Sequence, residues 1–406
     1  MKIIIQNRYY YPSFGGVENS LYYIACELTR KGHEVTILTK KLDKDSLDVE
    51  KTSEGFEIIR YDYRIPKILF FVDPLFHYNV SKKKMDELLK EKEFDLIITR
   101  DPVLGLASYN CKLNKIKLLY IPPVIIKYSY VGRIHLKKNI KRQIIELLGF
   151  IRFYLEGKMQ QILLKECNNI IVFSNNIKSQ IEEYIKNINK KKISVIPPGV
   201  DSSFKIINEN TLFEKYNLSK ETKIFLYVGR IVNEKYVDLL LDAFIKLDQD
   251  SSILMFVGDG AELNELKRKA DKFNIKNKVV FAGYKKNTVE FYNLATYLVL
   301  PTKYEAFGQV ILESLACGTP VIGFRNNKHD IKVATDEIIT DAQTGFLCDQ
   351  FSVECLSKTM EKALQFSNNE IEYNLMKERC LQKAKKEYTW DKFTDELLLL
   401  CGKETD

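Results

Sequence analysis

Four charged side chains in the second half of the chain have the types and spacing to meet one ligand. Arg230 and Lys235 lie in GRIVNEK, after the apolar run 223–229. Glu305 and Glu313, with seven residues between them, follow the apolar run 297–300. Two cations beside a helix N-terminus neutralise a diphosphate, Arg as a bidentate fork and Lys as a point charge. A carboxylate held short of them accepts hydrogen bonds from hydroxyl groups. A strand, loop and helix with two solvated Glu residues also occurs in many α/β proteins. The two cations on the same sheet edge turn the pair of Glu residues into a site.

The elements that must position these groups read as alternating strands and helices. In 297–323, YLVLPTKYEAFGQVILESLACGTPVIG, a buried strand at 297–300 is stopped by Pro301-Thr302. A helix follows, with Val310, Ile311, Leu312, Leu315 and Ala316 at helical spacing, and Gly318 and Pro320 end it. Further strands are expected at 223–229, 252–258, 278–283 and 320–324, with helices near 235–247, 261–273 and 288–295 between them. Their runs are continuously apolar, as parallel strands covered on both faces require. The loops that follow parallel strands share one edge of the sheet, where open α/β sheets bind ligands.

The first half repeats this scheme. Strands are expected at 2–5, 34–39, 55–61, 94–100, 116–122 and 169–174, and a helix from about Val17 to Lys31. The first strand-to-helix turn carries Gly15-Gly16 without the G-x-G-x-x-G spacing. Adjacent glycines let backbone N–H groups approach a phosphate or sugar, and a plain tight turn explains them equally well. VIPPGVD (195–201) closes this half, and the polar stretch Asn208–Ser219 marks the junction. The amphipathic segment 388–400 carries the single Trp.

With 406 residues, 45% of them hydrophobic, the chain can form two domains with real cores. Its formal charge of +8 suits an anionic ligand or membrane surface, and no recognised nucleic-acid module is present. Eight scattered cysteines without a Cys-x-x-Cys pair are expected to be reduced thiols in a cytoplasmic protein. No His cluster joins them, so no metal site is expected. MKIIIQ is too short and too soon polar for a signal peptide, and no apolar run reaches membrane-span length. Residues 127–165 carry nine Lys or Arg against Glu146 and Glu156, interleaved with apolar and aromatic residues. That composition suits an anionic bilayer surface, or a surface helix packed on its own domain.

YPSFGGVENS with GHEVTILT, VIPPGVD, YVGRIVNEK, FVGDGAELNELK, VVFAGY and LPTKYEAFGQVILESLACGTPVIG occur in an order and spacing that resemble the retaining glycosyltransferases of family 4. The resemblance covers nearly the whole chain. It implies the α/β GT-B fold, two Rossmann-like doubly wound domains facing across a cleft. These would be residues 1–203, joined by the C-terminal helix 388–406, and the donor-binding domain 204–387. It implies transfer of a sugar from a nucleotide-sugar donor, a UDP-sugar by expectation, to a hydroxyl of a surface-glycan or lipid-linked acceptor, with no metal or other cofactor. By resemblance Gly15 and Gly16 approach the diphosphate, Arg230 and Lys235 bind it, and Glu313 holds the ribose. The backbone near Gly283 and Tyr284 meets the base. Glu305 positions the sugar with backbone groups of Phe307, Gly308, Gln309 and Val310.

The chain departs from the family pattern in places. Tyr236 replaces the Gly that usually follows the motif lysine, and Ala306 the Gly after the first motif Glu. The loop after 116–122 reads YIPPV, where many relatives have a His. Residues 324–339 lack the usual paired glycines, with Glu337 in place of the usual Glu. Two other readings share the fold: a nucleotide-sugar epimerase, and a catalytically silent glycan- or partner-binding protein.

Overall fold

The computed structural model describes residues 1–402 apart from Phe14, Lys44, 112–115, 131–139, 248–251 and Lys328; the side chains of 129–130 and 140–144 are also outside the description. The chain forms two compact units, Met1–Pro198 with Trp390–Asp406, and Gly199–Thr389.

The first unit is built on an eight-stranded sheet. Its strands are β1 (Lys2–Gln6), β2 (Glu34–Lys40), β3 (Val49–Lys51), β4 (Glu57–Tyr61), β5 (Leu96–Thr99), β6 (Lys117–Tyr120), β7 (Asn169–Val172) and β8 (Ile193–Val195). The spatial order is β3-β4-β2-β1-β5-β6-β7-β8, parallel except for the β3–β4 pair. Helices α1 (Gly16–Arg30), α2 (Asp73–Glu91), α3 (Pro102–Tyr109), α4 (Ile126–Tyr130), α5 (Ile140–Glu166) and α6 (Asn175–Tyr184) connect the strands. Ile3, Ile4 and Ile5 are wholly buried, since helices cover both faces of the sheet. Two strands have no apolar run to announce them: β3 is an exposed three-residue edge, VEK, and β8 is only ISV.

The second unit carries β9 (Lys223–Val228), β10 (Ser252–Val257), β11 (Val279–Gly283), β12 (Tyr297–Leu300), β13 (Val321–Phe324) and β14 (Gly345–Cys348). Their order is β11-β10-β9-β12-β13-β14, and every pair is parallel. The helices are α7 (Leu212–Lys215), α8 (Val237–Ile245), α9 (Leu263–Lys272), α10 (Val289–Leu294), α11 (Gln309–Ala316), α12 (Thr335–Ile338), α13 (Val353–Ser367) and α14 (Glu370–Glu387). In this order β9 and β12 are neighbours, so the loops carrying Arg230, Lys235 and Glu305 leave the sheet side by side.

The last helix, α15 (Trp390–Gly402), belongs to the first unit. Trp390, Phe393 and Leu397 enter the same core as Leu21, Ile24 and Leu28 of α1. Tyr23 stacks on Trp390 at 5.8 Å, and Lys31 bonds Asp391 at 2.8 Å. All eight cysteines are free thiols. Among the described residues no helix is long and apolar enough to cross a membrane.

Candidate active site

The loops beyond β9, β10 and β11 are locked together through backbone. Gly229 N–H donates to Val257 O (3.0 Å), Ile231 N–H to Asp259 O (2.8 Å), and Gly258 N–H to Gly283 O (3.0 Å). Backbones this close leave no room for a side chain. A Cβ at Gly258 would overlap the carbonyl oxygen of Gly229, and one at Gly260 that of Ile231. The Tyr227 hydroxyl donates to Arg230 O at 2.7 Å and pins the turn that presents Arg230. Above these loops lies a cavity of ≈ 560 Å³ whose wall includes Gly229, Arg230, Gly258, Asp259, Tyr284 and Thr288. Arg230 and Tyr284 are exposed at it.

Lys235 ends a single 3-10 turn, and its Nζ lies 2.5 Å from Glu305 Oε2. Both side chains are half-buried, so the contact is neither fully screened nor fully desolvated. Glu305 is held from behind by its own N–H, which donates to Lys332 O at 3.0 Å. Gly308, at φ 91°, starts α11. Neither α8 nor α11 has a side-chain N-cap, whereas α13 and α14 are capped by Ser352 and Asn369. The Ile311 N–H of α11 already donates to Gly308 O at 2.8 Å; the N–H groups before it, and those at the start of α8, lack a side-chain cap and suit an anion. Gln309 Nε2 donates to Gly199 O at 2.7 Å and ties the start of α11 to the PPGVD turn.

Tyr236 takes the left-handed conformation, φ 52° and ψ 36°, in the place where a glycine is expected. The turn therefore keeps its path at a backbone cost of about 1–2 kcal/mol. The ring compensates by packing edge-on against Phe351 at 4.8 Å, which in turn lies 4.8 Å from Phe324. Tyr236→Gly removes the backbone cost but also the ring contact, and is expected to lower stability by roughly 1 kcal/mol. Tyr236→Ala loses the ring and keeps the strain, so it should be worse. Thermal melts of the three proteins test the order; a glycine variant more stable than wild type would contradict it.

Glu313 lies on α11 and has a different neighbour. Tyr292 of α10, wholly buried, donates to its Oε2 at 2.6 Å. Burial is the leading influence on this carboxyl and pushes its pKa up to about 7; the Tyr292 bond opposes the shift and Asp201 adds to it. The structure thus pairs Lys235 with Glu305 directly and gives Glu313 its own setting. Gly283 sits at φ 72° at the end of β11, next to Tyr284. Phe307 is buried and edge-on to Tyr388 at 6.3 Å.

Gly15 and Gly16 are in the first unit, at the start of α1, which also lacks a side-chain cap. The YIPPV loop after β6 is held by Gln160 of α5. Its Nε2 donates to Tyr120 Oη and to Val124 O, both at 2.9 Å, and its Oε1 accepts from Ile126 N at 2.9 Å. Nearby strand ends carry Arg8, buried between Asp73 (3.1 Å), Asp101 (3.2 Å) and Glu156 (3.1 Å). Tyr292, Tyr227 and Gln160 escape a reading of the sequence, since each falls in a pattern that otherwise signals core or surface helix.

Two parallel-sheet α/β units, with cations, uncapped helix starts and carboxylates gathered on one edge of the second sheet, define the GT-B class of glycosyltransferases. The family models agree: "Glycosyltransferase Family 4" matches residues 14–204 and "Glycosyl transferases group 1" matches 208–386. The chain belongs to glycosyltransferase family 4 and is a glycosyltransferase. It is 29% identical to an alpha-monoglucosyldiacylglycerol synthase of Streptococcus pneumoniae, over 80% of this chain and 71% of that protein. The sucrose-phosphate synthase of Thermosynechococcus elongatus superimposes with a TM-score of 0.78 at 18% identity, covering 98% of both chains. Alr3699/HepE of Anabaena, crystallised with UDP and glucose, does so with a TM-score of 0.72 at 16% identity, again covering 98% of both.

Proposed function

We propose that the protein is a retaining transferase that moves a sugar from a UDP-sugar to a hydroxyl of a surface-glycan or lipid-linked acceptor. The observation that carries this reading is the Lys235–Glu305 contact, made between the loops that follow the neighbouring strands β9 and β12, the first of which also carries Arg230. A cation suited to phosphate thus stands next to a carboxylate suited to sugar hydroxyls. Arg230, Lys235 and the starts of α8 and α11 receive the diphosphate, Glu305 and the backbone of 307–310 orient the sugar, and Glu313 accepts from the ribose. The backbone at Gly283 and Tyr284 meets the base.

In the reaction the bond from the anomeric carbon to the phosphate oxygen breaks, and a bond to the acceptor oxygen forms on the same face. The departing phosphate oxygen takes the acceptor proton. Arg230 and Lys235 stabilise the charge that grows on the leaving diphosphate, which is electrostatic catalysis. These groups meet the diphosphate charge without a metal ion. The name of the pneumococcal relative favours a lipid-linked acceptor, and the Anabaena complex favours UDP.

Mass spectrometry of products from a panel of nucleotide sugars, with membrane extract as acceptor, tests the transfer. Proton NMR of the product reads the anomeric configuration, and an inverted product would refute retention.

We place the protein at the cytoplasmic face of an anionic membrane, through 127–165. Lys137 and Lys138 lie outside the described residues, as do the side chains of Lys141 and Arg142. Neutralising these four should release the protein from anionic vesicles in a flotation assay; unchanged binding would sink the membrane assignment.

A further inference from the structure

Helix α5 is amphipathic in an unusual sense. Its mid-length charges turn inward: Arg152 bonds Asp73 at 3.2 Å, and Glu156 bonds the buried Arg8 at 3.1 Å. Met159, Leu163 and Leu164 are buried, but a second set of large apolar side chains turns outward: Leu147 is 62% and Tyr154 54% exposed, and Phe150, Ile151 and Ile162 are exposed between and beyond them. These positions recur at helical spacing on one face, which also holds Lys158. Ile68, in the segment 67–72 that packs on α5, is also 79% exposed. A helix with one face in water carries polar side chains there rather than a stripe of exposed apolar ones.

Where α4, α5 and α6 meet, this face opens into a cavity of ≈ 300 Å³. Lys127 and Lys158 line it, and no carboxylate does so among the described residues. Lys127 Nζ lies 5.5 Å from the centre of the Tyr184 ring, and Lys158 Nζ 5.5 Å from that of Tyr154. The Tyr184 hydroxyl donates to Gly157 O at 3.2 Å. Gly157 leaves the wall open: a Cβ there would make only ordinary contacts, 3.6 Å to Ile126 and 3.8 Å to Tyr184.

We propose that this pocket binds the phosphate of an anionic phospholipid, with Lys127 and Lys158 as its counter-charges and the outer face of α5 among the acyl chains. Charge complementarity selects this occupant. Lysine is depleted at protein–protein interfaces, whereas lysine stems beside exposed aromatic and aliphatic groups suit a lipid surface, where the amine reaches the headgroup. The proposal deepens the membrane reading above, and the two can fail separately.

The test uses the full chain and dihexanoyl phosphatidylglycerol below its micelle concentration, titrated calorimetrically. Wild type should bind it saturably at one site and bind dihexanoyl phosphatidylcholine far less. Gly157→Leu fills the pocket with a better helix former, and Lys127→Gln with Lys158→Gln removes the charge. Each should weaken binding by about tenfold or more while thermal melting and donor hydrolysis stay unchanged. Gly157→Leu protein that no longer binds the soluble lipid yet still floats with anionic vesicles would support the pocket as a separate lipid site and leave flotation to Lys137, Lys138, Lys141 and Arg142. Wild type that floats with vesicles but does not bind the soluble lipid would overturn the pocket and spare the membrane reading. Equal affinity in wild type and both variants would overturn it as well. So would glycerol 3-phosphate binding as tightly as the lipid, since free phosphate would then be the ligand.

Discussion

Lys235→Ala is expected to slow release of nucleoside diphosphate from the donor by about a thousandfold, the upper range for removing one preorganised charge from a transition state. The leaving diphosphate gains negative charge as the glycosidic bond stretches, and the proposed function puts Lys235 where that charge develops. The same substitution removes the cation 2.5 Å from Glu305, so it also disturbs the group assigned to the sugar. Glu305→Ala should therefore cost a similar factor, and the double variant little more than the worse single one, because the two side chains act as a unit. Single-turnover measurement of nucleotide release distinguishes the cases. Losses that multiply in the double variant would show that the residues work independently.

Glu313→Gln should separate nucleotide affinity from stability. The folded protein holds this carboxyl at a pKa of about 7, against an ordinary value of 4.5, chiefly through burial. A carboxyl whose pKa is raised by folding contributes stability below its unfolded pKa, and that contribution is lost as pH rises through the folded value. Wild type should thus lose up to about 3 kcal/mol between pH 4.5 and about pH 8 relative to a neutral side chain at this position. The glutamine variant should match wild type near pH 5 and be the more stable protein near pH 8, as read by urea unfolding at the two pH values. Its nucleotide affinity should fall about tenfold at pH 8, where an amide replaces a carboxylate acceptor for ribose hydroxyls. In wild type, nucleotide binding near neutral pH should release a proton, visible as buffer-dependent calorimetric enthalpy. A stability difference that does not change with pH would contradict the assignment of that pKa to Glu313.

Much of this site was legible from residue order. The runs at 223–229, 252–258 and 297–300 are parallel strands because they are apolar throughout. Parallel strands place the loops that follow them on one edge, so Arg230, Lys235 and Glu305 could be grouped without coordinates. Their direct partnership could not, because a contact between Lys235 and Glu305 depends on how far β9 and β12 are staggered. Tyr292 sits in an apolar helical run and looks like core; it is core, and its hydroxyl nonetheless reaches Glu313. At Tyr236 the missing glycine was visible in the sequence, but the aromatic contact with Phe351 that offsets the strain comes from beyond β14. In α5 the composition showed a basic helix rich in apolar residues. The buried Arg8 cluster, assembled from strand ends and α2, decides which way it turns, drawing Arg152 and Glu156 inward.

The central claim is that the Arg230, Lys235 and Glu305 edge cleaves a nucleotide sugar at its anomeric carbon. A donor-hydrolysis screen tests it most directly: the purified protein is incubated with individual nucleotide sugars without acceptor, and both nucleotide and sugar are followed. The expected result is slow release of UDP from one UDP-sugar, absent in Lys235→Ala. Conversion of the sugar to its epimer, or no turnover of any donor, would contradict the claim.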